Sequence, residues 1–119
     1  MAARPMISIV TPTFNRRRAL ARALESTRTQ TVGDFEHIVV DDGSDDGTEE
    51  MCRRIGDPRI RVYRFTERRG ANAARNQGVA MARAPVVTFL DSDDEFLPQR
   101  LEQVLGVLAA ETRRRSRET

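Results

Sequence analysis

Four short apolar runs, each cut off by polar turn-forming residues, alternate with stretches of helical periodicity, and this alternation constrains the fold more than any other feature. Ile7, Ile9 and Val10 form the first run, which stops at Pro12; a run this short and this apolar reads as a strand buried on both faces. From about Arg17 to Gln30, Leu20, Ala23, Leu24 and Thr27 recur at helical spacing, with Arg18, Arg22, Glu25 and Arg28 opposite them. Ile38 to Val40 gives a second strand, closed by the aspartate- and glycine-rich segment 41–47. Asp46 and Glu49 have the spacing of a capping box, which predicts a short helix to about Ile55. Ile60, Val62, Tyr63 and Phe65 among arginines predict a third strand at a sheet edge. A small-residue helix after a cap at Asn72 follows, and Val86 to Leu90 is the fourth strand. Pro98 opens a last helix carrying Leu101, Val104, Leu105 and Leu108, and Thr112 to Thr119, with four arginines, is expected to fray as a basic tail beyond a domain ending near residue 111. Strand and helix alternating four times imply an α/β, Rossmann-like, mostly parallel sheet of about four strands with helices on both faces.

Composition narrows the function. At 119 residues the chain holds one domain, no stretch approaches the roughly 20 apolar residues of a membrane span, and Met1 to Pro5 lacks an apolar signal core, so the cytoplasm is the expected location. Cys52 and His37, each the only one of its kind, make no zinc set or Cys/His nucleophile pair. All 20 basic residues are arginine and the net charge is only +2, which gives little ground for a nucleic-acid partner. The absence of lysine excludes a P-loop and a receiver domain, and it hints at a GC-rich bacterial source.

In open parallel sheets ligands bind beyond the carboxyl ends of the strands. Here those ends carry Thr11-Pro12-Thr13-Phe14-Asn15, Asp41-Asp42-Gly43-Ser44 and Asp91-Ser92-Asp93-Asp94. Five carboxylates on one rim repel one another unless a cation sits among them, and aspartate oxygens suit magnesium or manganese shared with a phosphate. The first loop lacks Gly-x-Gly-x-x-Gly, which disfavours a nicotinamide or flavin enzyme. Phe14 beside Asp42 offers a stacking surface and an acceptor for the imide of a uracil or thymine ring.

The segments 7–16, Gln30-Thr31 to Phe35-Glu36, 39–44 with Asp46-Gly47-Thr48, Ala74-Arg75-Asn76-Gln77-Gly78, and 89–94 with Pro98 and Leu101 resemble, in this order, the family 2 glycosyltransferases. The resemblance runs from Ile7 to about Leu108 and implies the GT-A fold, a nucleotide-diphosphate sugar donor and a divalent metal, Mn2+ or Mg2+, on an Asp-x-Asp motif. Pro12, Phe14 and Asn15 would then line the nucleoside site with Thr13 beside them, and Asp42 and Gly43 would receive the base. Asp91 would face ribose or donor sugar beside Ser92, Asp93 would bind metal with Asp94 as a competitor for that place and Asp91 also in the metal set, and Arg75 would brace the diphosphate or organise the acidic loops. Arg16, Arg17 and Arg18 read as surface, and Asp41 and Asp45 as turn residues.

In the family the inverting general base lies well downstream of Asp-x-Asp, and the chain ends about 25 residues after Asp94, so base and acceptor-binding half are expected to be missing. Truncation also predicts an exposed edge at the fourth strand and a homodimer that covers it. The competing readings are a noncatalytic self-associating module of the same fold and a nucleotidyltransferase, whose glycine-rich, lysine-bearing first loop is absent.

Overall fold

The computed structural model describes residues 4–118, with the side chains of 115–118 left aside. The first three residues of the Met1 to Pro5 segment and the last residue of the arginine-rich tail lie outside that range. Strands β1 (Ile7–Thr13), β2 (Phe35–Asp41), β3 (Ile60–Arg64) and β4 (Val86–Phe89) alternate with helices α1 (Arg17–Arg28), α2 (Thr48–Ile55), α3 (Ala71–Met81) and α4 (Arg100–Glu118). Every strand pairing is parallel, and the sheet order is β3-β2-β1-β4, with Ile7 opposite both Phe35 and Val86.

The two central strands, β1 and β2, are buried on both faces along almost their whole length, as parallel strands between helical layers must be, and their buried polar side chains Ser8, Thr11, Glu36 and His37 bond to one another across the pair. On one face Ile7, Ile9 and Phe35 pack with Ala23 of α1 and Leu101 of α4, and Val39 packs with Leu20, Leu24 and Cys52. On the other, Val10, Ile38 and Val40 meet Ala74 of α3, which covers that face alone. Gly78 explains how closely α3 can lie: a Cβ built on it would stand 2.3 Å from a methyl of Val10. Glycine costs a helix interior about 1 kcal/mol of propensity, and here it is the contact distance that requires it.

Several elements differ from expectation. β1 runs three residues past Val10 in spite of Pro12. Leu90 N–H donates to Val10 C=O from the β4 side, so Val10 and Pro12 direct their backbone groups toward β4, which has ended by then; the missing N–H of Pro12 breaks no ladder bond. Asp46 and Glu49 form no capping box. Asp46 instead accepts from Arg17 N–H and Thr48 N–H, tying the starts of α1 and α2, while Glu49 pairs with Arg53. Burial raises the Asp46 pKa, but the Thr48 hydroxyl and these backbone donors outweigh it and hold it lowered. α3 begins at Gly70, whose φ of 95° few other residues tolerate, and Asn72 lies inside the helix rather than capping it. α4 runs as a helix to Glu118, through the arginine-rich stretch, with the Arg114–Glu111 pair one turn apart. Among the described residues β4 has no strand on its outer side, and Phe89 is exposed there.

Candidate functional site

The three loops that leave the carboxyl ends of β1, β2 and β4 meet. They enclose a cleft of about 390 Å3 lined by Pro12, Thr13, Phe14 and Arg16 from the first, Asp42 from the second and Asp91, Ser92 and Asp93 from the fourth, with Arg68, Ala71, Ala74 and Arg75 closing it from the α3 side. Eight of the residues singled out from sequence thus share one wall. Asn15, Gly43 and Asp94 do not line it, and each has another position.

Asn15 clips the first two loops together. Its N–H donates to Ser44 Oγ at 2.8 Å, its Oδ1 accepts from Asp45 N–H at 3.0 Å, and its φ of 49° makes it the one non-glycine residue in left-handed conformation among those described. Asparagine tolerates that region because its short amide can bond locally. Gly43 has φ +84° and lets the backbone at Phe65 and Arg68 pass within 3.5–3.7 Å of where a Cβ would stand.

Of the five carboxylates expected on the rim, two are buried and three are exposed. Asp41 is buried and turned back into its own loop, with Oδ1 accepting from Ser44 N–H and Arg64 Nε 3.9 Å from Oδ2. Asp42 is also buried, and both its oxygens accept backbone donors, Oδ1 from Arg69 at 2.6 Å and Oδ2 from Gly70 at 3.0 Å. It therefore fixes the 66–70 loop over the cleft, with Arg68 Nε 3.6 Å away. Asp91, Asp93 and Asp94 are exposed, and each offers an oxygen within 4.8 Å of the others'. The turn that gathers them is closed by Asp94 N–H on Asp91 C=O and anchored by buried Leu90 and Ser92.

Two guanidinium groups stand against this acidic turn. Arg16 Nη1 donates to Asp93 Oδ2 at 2.9 Å, and Arg75 Nη2 lies 3.9 Å from Asp91 Oδ1. Arg16, read from sequence as surface, lines the cleft, and so does Arg68, which the sequence offers either to a phosphate or to a solvated loop. The segment after the turn is clamped to α1: Ser26 Oγ accepts from Phe96 N–H, and Gln30 donates to Leu97 C=O and accepts from Leu101 N–H. Gln30 thus holds the acidic turn in place from outside the cleft.

Comparison with known proteins gives one answer. Residues 8–113 match the family described as glycosyl transferase family 2. The chain is 41% identical over 110 residues to validoxylamine A glucosyltransferase of Streptomyces hygroscopicus subsp. jinggangensis, covering 88% of this chain and 26% of that protein. It is 36% identical over 104 residues to GalNAc(5)-diNAcBac-PP-undecaprenol beta-1,3-glucosyltransferase of Campylobacter jejuni, covering 85% and 34% respectively. Among solved structures, mannosyltransferase PcManGT of Pyrobaculum calidifontis, in complex with GDP-Man and Mn2+, superposes with a TM-score of 0.75 at 28% identity, over 84% of this chain and 31% of that one. S. aureus TarS in complex with UDP-GlcNAc superposes at 0.82 and 26% identity, over 87% and 31%. This chain spans well under half the length of these relatives. The GT-A expectation holds for the fold, and no helix among the described residues is long and apolar enough to cross a membrane. With the match running from the first strand into the last helix, the chain belongs to the family 2 glycosyltransferases.

Proposed function

We propose that the cleft binds a nucleotide-diphosphate sugar, linked to UDP or dTDP, for inverting glycosyl transfer to an acceptor. The observation that carries this reading is the convergence of Phe14 and Asp42 with Asp91 and Asp93 around one cleft. An aromatic wall suits a nucleobase at one end, and carboxylates suit an ion that grips a diphosphate at the other.

The acidic turn fits a divalent ion, Mn2+ or Mg2+, because hard oxygen donors from Asp91, Asp93 and Asp94 gather within 4.8 Å and all face solvent. An ion held there supplies Lewis-acid stabilisation to a departing nucleoside diphosphate. The chain's own residues orient the donor: Phe14 stacks the base, Asp42 accepts a hydrogen bond from its imide N–H while keeping the 66–70 loop in place, and Arg75 offers charge to the diphosphate beside Asp91. The neighbours' GDP-Man with Mn2+ and UDP-GlcNAc support a nucleotide sugar and a divalent ion as the class of ligand.

Calorimetry of UDP with and without manganese tests the reading. Binding that strengthens with manganese in the native chain, and loses that gain in Asp93→Ala, is the expected result. Equal UDP affinity in manganese and in chelator, or none in either, would overturn it.

A further inference from the structure

We infer that Arg16 is an exchange residue: it holds the Asp93 carboxylate in the metal-free chain, yields it to the divalent ion, and moves its charge to the donor's diphosphate. This rests on the metal and donor reading of the cleft and goes beyond it, since that reading gives the Arg16–Asp93 pair no part in binding.

The geometry is specific to one of three consecutive arginines. Arg16 Nη1 lies 2.9 Å from Asp93 Oδ2 and lines the cleft; Arg17 points elsewhere, its N–H and Nη1 on Asp46, and neither Arg17 nor Arg18 lines the cleft. The backbone that presents Arg16 is fixed on both sides. Asn15 is held to the second loop by two hydrogen bonds, and Arg16 C=O accepts from Leu20 N–H to open α1. Only the side chain is free to change partner.

Electrostatics gives the direction. The side chains of Arg16 and Asp93 are 54% and 55% exposed, so solvent screens their pair and its release costs little. Three carboxylates of the lining, Asp42, Asp91 and Asp93, are matched by three guanidinium groups, Arg16, Arg68 and Arg75. A divalent ion on Asp93 sets two positive charges against the guanidinium at a separation where repulsion is large. The diphosphate that accompanies the ion restores a negative partner within the same cleft, and a guanidinium matches phosphate oxygens in bidentate geometry.

Manganese and UDP titrations of the full chain by calorimetry test the exchange. Arg16→Gln, which keeps a polar side chain and loses the charge, is expected to bind Mn2+ alone about three- to tenfold tighter than the native chain, because the competing cation is gone. At saturating Mn2+ it is expected to bind UDP about tenfold more weakly, the scale of one lost charge-assisted hydrogen bond. Arg17→Gln, whose guanidinium lies outside the cleft, should change neither. Mn2+ affinity in Arg16→Gln equal to or below the native value overturns the release of Asp93, and unchanged UDP affinity overturns the transfer to diphosphate. A native chain that binds neither ion nor UDP fails earlier and sinks the donor reading itself.

Discussion

The guanidinium of Arg68 lies 3.9 Å from the centre of the Phe14 ring, a cation–π contact spanning the cleft wall between the first loop and the one pinned by Asp42. A base that stacks on that face of Phe14 must therefore displace Arg68. Stacking of a base on an aromatic side chain contributes about 1–3 kcal/mol. Phe14→Ala is accordingly expected to weaken UDP binding roughly tenfold or more, and equally at low and high manganese because the ring acts on the base alone. Calorimetry at two metal concentrations checks it. An affinity that survives the truncation would put the base on another surface.

The same loop supplies a second test. Asp42 accepts two backbone N–H groups with two separate oxygens, and it is buried. Asparagine at that position keeps one acceptor and turns an NH2 toward the other donor. Leaving a buried donor unpaired costs about 1–3 kcal/mol. Asp42→Asn should lower the urea midpoint by that equivalent and should also weaken UDP binding, since the 66–70 loop loses its tether. Loss of UDP binding at full stability would instead make Asp42 a ligand contact with no part in holding the loop.

These residues differ in how far the sequence revealed them. The strands were legible because Ile7, Val10, Val39 and Val87 are short apolar runs with no helical period, and a parallel sheet delivers everything after a strand to one rim. Phe14, Asp42 and Asp91 to Asp93 could therefore be gathered before any coordinate was known. Pro12 and the polar pair Glu36-His37 masked the true ends of β1 and β2, because their tolerance depends on where β4 ends and on partners far along the chain. Arg16 was hidden for a related reason: Arg17 and Arg18 share its chemistry, and only the left-handed turn at Asn15 selects which of them enters the cleft. That turn has no signature beyond one asparagine.

Gly78 offers a test of packing away from the cleft. Alanine gains about 1 kcal/mol of helix propensity over glycine, so an exposed site would be stabilised. Here the added methyl would stand 2.3 Å from a side-chain carbon of Val10 in the central strand, which has no room to retreat. Overpacking of this kind costs about 1–3 kcal/mol or more. Gly78→Ala is expected to be destabilised in urea unfolding, and the pairing with Val10→Ala should recover part of the loss. A single variant at or above native stability would mean that α3 shifts freely on the sheet.

Acid stability separates the two buried polar centres of β2. His37 sits between hydroxyls, with Thr11 Oγ1 2.7 Å from Nε2 and Thr27 Oγ1 2.9 Å from Nδ1. Thr27 Oγ1 also lies 2.9 Å from Leu24 C=O, and it keeps both contacts only by donating to that carbonyl and accepting from Nδ1–H, which leaves Nε2 to accept from Thr11. Burial pushes the imidazole pKa down from 6.5 to about 3. The unfolded chain therefore binds a proton that the folded chain refuses, and stability falls by about 1.4 kcal/mol per pH unit as pH drops from 6.5 toward 3. Glu36 on the opposite face behaves differently. Burial alone would raise its pKa, but the Ser8 hydroxyl, Arg83 N–H and the guanidinium groups of Arg61 and Arg83 outweigh it and hold it near 2. Its contribution is complete above 4.5 and is lost as pH falls toward 2, together with that of Asp57, which Arg59 also holds at about 2. Urea unfolding at half-unit pH steps distinguishes them: His37→Asn should flatten the slope between pH 6.5 and 4.5, while Glu36→Gln should leave that window unchanged and reduce the slope only below 4.5. Native stability that stays level from pH 6.5 to 4.5 would show that the imidazole is charged or solvated in the folded chain, contrary to its place between Thr11 and Thr27.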